Sequence, residues 1–314
     1  MTLTRFVALV ATILPLAGRA VVSAQQAPIK VLLVTGQSNR YHNWAVSSVI
    51  IKRQLEEGGR FAVTVATTPP KGTTPNQDMS SFAPTFSGYG AVVLDYEGFE
   101  FAPPIKQALV DYVNNGGGLV VIHAADNAFP SWPEYNEMIG VGGWGSFTPG
   151  YPSRTMATGP KVRWRDGKMT LDSETPGVAQ HPNPHDFVMT VRTPEHPIVK
   201  GLPVEWLHAK DELYSNLRGP AKNLTVLVTA TAPTTMQNGT GENEPLMMVL
   251  TYGKGRVFHD TLGHAGPTQT EPIIPMNSVD SIVLLQRGTE WAATGKVTIP
   301  VPADFPTVDK TSVR

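Results

Sequence analysis

Three histidines in this chain stand beyond segments that read as strands. Residues 30–34 lead into Thr35-Gly36-Gln37-Ser38-Asn39-Arg40-Tyr41-His42. Residues 116–122 lead into His123-Ala124-Ala125-Asp126, and residues 255–260 lead through Thr261-Leu262-Gly263 to His264. Imidazole is the side chain that exchanges protons near neutral pH, and it is the commonest metal ligand. Carboxylates stand in comparable places. Asp95 and Glu97 follow the apolar run 91–94, and Glu212 lies in Asp211-Glu212-Leu213-Tyr214. His42, His123, Asp95, Glu212 and His264 are therefore the candidate catalytic residues, as acid/base groups or orienting carboxylates. His42, His123 and His264 with one carboxylate also satisfy the ligand rules for zinc or a similar divalent metal.

Each residue has a plainer reading beside the chemical one. A histidine after four apolar residues can be a core residue satisfied by backbone. Ala124-Ala125 favours the other reading, because small residues permit the sharp strand-to-helix turn that presents a reactive side chain. Asp95 and Glu97 can equally be solvated loop charges. His181 and His185 share helical spacing, but Pro182 and Pro184 forbid a helix there, so as metal ligands they are weak candidates and read more as loop surface.

The elements that must position these groups alternate. Residues 31–34, 61–66, 91–94 and 119–122 read as buried parallel strands, and 44–57 and 104–115 as helices between them. The first helix stops at Gly58-Gly59. Residues 224–229 resume the sheet, 246–260 form a hairpin turning at Tyr252-Gly253-Lys254-Gly255, and 276–294 form a closing helix. Between them, residues 140–220 are rich in Gly, Pro, His and Trp. This stretch reads as an insertion with its own small β element over the strand ends. The fold class is α/β: a flavodoxin-like, doubly wound, mostly parallel sheet with an inserted β-containing lid. Ligands of such sheets bind at the carboxyl ends of the strands.

Composition narrows the function. A net charge of −1 with only 16% charged residues, and no basic run, argues against nucleic acid as partner. The chain has no cysteine, so thiol catalysis, cysteine-zinc sites and disulfides are excluded. Residues 1–24 read as an export signal: Arg5, an apolar stretch over 6–16, and Val22-Ser23-Ala24 before the cleavage point. The mature chain is then expected from Gln25, in a periplasm or beyond, with no stable membrane span. The α/β domain covers 28–295, and 296–314 is a Pro-rich tail, draped or disordered.

The order of these motifs resembles the ThuA-like (trehalose utilisation) family, of class I glutamine amidotransferase-like fold. The matching pieces are Val34-Thr35-Gly36 with Tyr41-His42, Gly116–Ala125, Trp132-Pro133-Glu134-Tyr135, His196-Pro197-Ile198, Asp211–Tyr214, and Tyr252–Phe258 with Leu262-Gly263-His264. The elbow that carries a cysteine in amidotransferases carries His123 here, which excludes thiol-dependent glutamine hydrolysis. The chain departs from the family pattern over 140–152, where a histidine-containing loop is expected and Gly142-Gly143-Trp144-Gly145-Ser146 stands instead. The resemblance implies a sugar, keto-sugar or oligosaccharide ligand, with Tyr41, Tyr96, Trp132, Trp144 and Tyr214 as binding surfaces. An enzyme of carbohydrate metabolism is one expectation. A non-catalytic carbohydrate-binding protein on the same scaffold is the other, and a homo-oligomer fits either. Convergence of the histidines separates the two.

Overall fold

The computed structural model describes residues 27–72, 77–144 and 159–314. Its centre is a nine-stranded sheet. The first five strands in spatial order are β2 (Phe61–Thr67), β1 (Ile29–Thr35), β3 (Ala91–Leu94), β4 (Gly118–Ile122) and β11 (Gly255–Asp260), all parallel. Beyond them lie β10 (Asn243–Tyr252), β9 (Leu224–Thr231), β7 (His185–Val191) and β8 (Glu205–Asp211), each antiparallel to its neighbour. Because β10 and β7 alternate with the others, seven of the nine strands point one way. Strand order reverses between β1 and β3, which is the switch point of a flavodoxin-like sheet.

The parallel strands read as continuous apolar runs because both faces are covered. Val31, Leu33, Val93 and Val120 pack on one side with α1 (Trp44–Glu56) and α5 (Val279–Thr294). Leu32, Val34, Val92 and Val121 pack on the other with α2 (Pro103–Asn114) and α3 (Pro133–Ile139). Successive side chains of a strand face opposite ways, so one tetrapeptide serves two cores. The last helix is two: α4 (Ile274–Asn277) and α5, separated by Ser278.

The segment 140–220 differs from the expected lid. Among its described residues, only β5 (Lys161–Arg165) and β6 (Lys168–Asp172) form a separate two-stranded ribbon. β7 and β8 extend the central sheet instead, since β9 would otherwise be an open edge. The tail is ordered and draped. Leu207 N on β8 donates to Thr307 O at 2.8 Å, Val279 N donates to Ser312 O at 2.9 Å, and Phe305 packs edge-on against Trp206. The expected export signal, residues 1–24, lies outside the described residues. Among the described residues, no helix is long and apolar enough to cross a membrane.

Candidate active site

β1, β4, β8 and β11 all end at the same sheet edge, and each is followed by one residue of a four-membered cluster. His42 precedes α1, held where Asn43 N donates to Ala265 O at 2.9 Å across the edge. His123 follows Ile122 directly at φ +42°, a conformation rare for a residue with a Cβ, and opens a 3-10 turn over His123–Asn127. His264 follows Gly263, whose φ of +107° turns the chain back over the edge. Glu212 follows β8. The sequence could bring His264 in only if β11 ran with the central strands, and it does.

The four groups meet. His123 Nε2 lies 3.2 Å from His264 Nδ1 and 3.7 Å from Glu212 Oε2, and His264 Nδ1 lies 3.3 Å from Glu212 Oε2. One ligand atom from each of His42, His123, Glu212 and His264 falls within 4.8 Å of all the others. The Tyr214 hydroxyl sits over the cluster, 3.2 Å from His123 Nε2 and 3.4 Å from His42 Nε2.

A second layer fixes these groups. His42 Nδ1 lies 3.2 Å from Glu97 Oε2, and His123 Nδ1 donates to Thr261 O at 2.8 Å. Asp211 carries the other two. Its carboxylate accepts from Glu212 N (2.7 Å), Gly263 N (2.7 Å) and His264 N (3.2 Å). Behind it His208 lies 3.3 Å from Asp211 and 2.7 Å from Asp280, whose carboxylate also accepts from Trp206 Nε1 and Ser278 Oγ. Burial opposes charge on His208, but Asp280 and Asp211 on either side outweigh it and push the imidazolium up to about 10. Burial works against Asp211 too, yet His208 and the Gly263 amide hold it down at about 2. At the cluster itself, burial first and the neighbouring imidazoles second hold His123 well below its ordinary value. Burial lowers His264 to about 4, while burial and Asp211 raise Glu212 to about 8.

His42, His264 and Glu212 floor a cleft of about 380 Å³, with His123 buried against them, and Asn39, Tyr41, Asn127, Gln180, His181 and Tyr214 line it too. Of the expected catalytic residues, His42, His123, His264 and Glu212 converge. Asp95 does not join them. It lies buried beneath His42, accepts from Ser47 Oγ at 2.8 Å, and burial raises it to about 6. Glu97, two residues on, is the carboxylate that reaches His42.

Of the expected aromatic surfaces, Tyr41 and Tyr214 face the cleft. Tyr96, Trp132 and Trp144 do not: they are 1%, 3% and 1% exposed. Tyr96 donates to Phe99 O, Trp144 Nε1 donates to Ala128 O, and Trp132 packs with Phe129 and Tyr135. These rings are core because α3 and its flanks close one face of the sheet.

His181, a weak candidate from its sequence context, does reach the site. Its Nε2 lies 3.5 Å from Glu212 Oε2 at the cleft mouth, with its ring stacked on Tyr214. Excluding a helix does not exclude convergence, since an irregular loop can aim a side chain as well as a helix can. Asp211 was seen only as the neighbour of Glu212. Its burial at the end of β8 marks it as a brace.

A family model for ThuA, described as trehalose utilisation, matches residues 30–292. The crystal structure of a ThuA-like protein from Parabacteroides merdae is 47% identical, covering 91% of this chain and 98% of that one, with a TM-score of 0.83. One from Bacteroides uniformis shares the fold at 17% identity, over 88% of this chain and 98% of that one, with a TM-score of 0.54. No curated protein matches the chain.

Proposed function

The chain belongs to the ThuA (trehalose utilisation) family, and from that premise we propose that it is an exported enzyme acting on a sugar, keto-sugar or glycoside by acid/base chemistry. The observation that carries this reading is the convergence of His42, His123, His264 and Glu212, three of them lining one cleft and His123 buried against them. Converged imidazoles and a carboxylate in a half-closed pocket are the apparatus of proton transfer. The walls suit a neutral polyol. Asn39, Asn127 and Gln180 offer amide donors and acceptors, Tyr41 offers a ring face, and no Lys or Arg lines the cleft among the described residues. A purely binding protein would be favoured by a broad aromatic groove, and three of the five expected aromatic surfaces lie in the core instead.

In this reading the amides hold the ring hydroxyls. The imidazole–carboxylate floor works on a hydroxyl, or on a carbon-bound proton beside a keto group, where the carbonyl makes that proton acidic. Incubating the purified protein with 3-keto-glycosides and with unmodified glycosides, followed by NMR, tests it. Turnover is expected with a member of one set. Saturable binding without turnover would favour the carbohydrate-binding reading, and neither would reject both. Cell fractionation and amino-terminal sequencing test export, with a mature start near Gln25 expected.

A further inference from the structure

We infer that His42, His123, His264 and Glu212 form a binding site for a divalent cation of the zinc class. This rests on the reading that the cleft is where chemistry occurs, but it concerns what the floor binds, not which sugar enters.

The Thr261 carbonyl facing His123 Nδ1 can only accept, so that nitrogen bears hydrogen and Nε2 carries a lone pair. Glu97 does the same for His42. His181 Nδ1 faces Pro182 O at 2.8 Å, which leaves its Nε2 as an acceptor too. Three ring lone pairs and Glu212 Oε2 therefore crowd around the same space. Among them the Tyr214 hydroxyl and, in one tautomer, His264 Nδ1–H supply protons, as does Glu212 in its protonated form. Facing acceptors without hydrogen between them repel, and burial sharpens the cost. A cation at the centre removes the conflict.

The dimensions agree. Zinc bonds of about 2.0–2.1 Å arranged tetrahedrally put ligand atoms about 3.4 Å apart. The separations of 3.2, 3.3 and 3.7 Å among His123, His264 and Glu212 bracket that value, and His42 completes a set that spans up to 4.8 Å, so its imidazole must draw in to reach the ion. The outer layer is also that of a metal centre, in which ligating histidines donate their second nitrogen to a carboxylate or backbone carbonyl. His42 and His123 each do so. Asp211 fixes the backbone of the remaining two ligands through three amides. Three nitrogens and one oxygen, with no thiolate in the chain, suit zinc, cobalt or nickel more than calcium or copper(I). Tyr214 and His181 lie on the open side. A cation there would supply Lewis-acid polarisation of a sugar oxygen.

The test uses the whole chain, stripped with a chelator and titrated with zinc chloride by calorimetry in the absence of any sugar. One zinc per chain is expected. His264→Ala and Glu212→Gln should each weaken binding by more than about 100-fold, and Glu97→Gln, which is not a ligand, by about 10–100-fold. Circular dichroism checks that each variant is folded. Glu97→Gln keeps the test decisive if a ligand variant is not. Cobalt substitution should give visible bands that Glu212→Gln alters. Failure of zinc and cobalt to bind the folded wild type would overturn the inference, leaving a proton-sharing cluster. Binding that survives all three substitutions would overturn it equally. Metal binding with no sugar turnover would uphold the site and reject the proposed function, so the two fail separately.

Discussion

His123 combines three roles that are usually separate. It holds a left-handed backbone conformation, which costs a residue with a Cβ about 1–3 kcal/mol, it ties β4 to Thr261, and it faces the cluster. His123→Ala is therefore expected to lower stability by about 1–3 kcal/mol, through the orphaned Thr261 carbonyl and a small cavity, and also to abolish turnover. Denaturant melts and NMR assays on one preparation check both. Tyr41 and Trp132 make the contrasting pair. Tyr41→Ala should weaken sugar binding with an unchanged melting temperature. Trp132→Ala should cost about 3–5 kcal/mol while residual folded protein binds normally. The reverse pattern would return Trp132 to the cleft. Asp260 gives a pH signature. Burial raises its carboxyl to about 7, so its contribution to stability is whole below about pH 4 and is lost as pH rises through 7. From pH 5 to pH 9, wild type should lose on the order of 2–4 kcal/mol relative to Asp260→Asn. Parallel unfolding curves at the two pH values would refute that assignment.

At the scale of elements, the parallel strands were legible because doubly buried strands leave an uninterrupted apolar signature, as at Leu32-Leu33-Val34 and Leu119-Val120-Val121. That signature also located His123, which follows its strand directly, and His42, at the end of the loop after Val34. β7 and β8 left no such trace. Their half-exposed alternation shows a strand but not its partner, so their place in the central sheet was hidden, and with it the reason Glu212 meets the histidines. Aromatic type alone could not separate Tyr214, on the cleft, from Trp144, in the core. Asp211, His208 and Asp280 form one brace from the cluster to Ser278 and the draped tail. Phe305→Ala, which strips the tail's ring from Trp206, should cost about 3 kcal/mol. It should also loosen zinc binding, read by thermal melts with and without the metal. A stability loss that leaves zinc affinity untouched would separate the tail from the site.

Across the whole molecule, the four proposed ligands come from segments that only the finished sheet brings together, so a cation would bind the native state and not the unfolded chain. Zinc at 100 times its dissociation constant should then add about 2.7 kcal/mol of stability, seen as a rise in melting temperature that His264→Ala abolishes. The same architecture sets a timetable for synthesis. β4 lies beside β11, which leaves the ribosome well over a hundred residues later. At about 5–20 residues per second, one backbone edge of a fully apolar strand waits on the order of 10–30 s for its partner. Such an edge pairs readily with other chains. When the chain is made without residues 1–24 and folds as it is synthesised, its exposure to misassembly is therefore greatest mid-translation, and slowing elongation before residue 255 should raise the aggregated fraction without altering the molecules that finish.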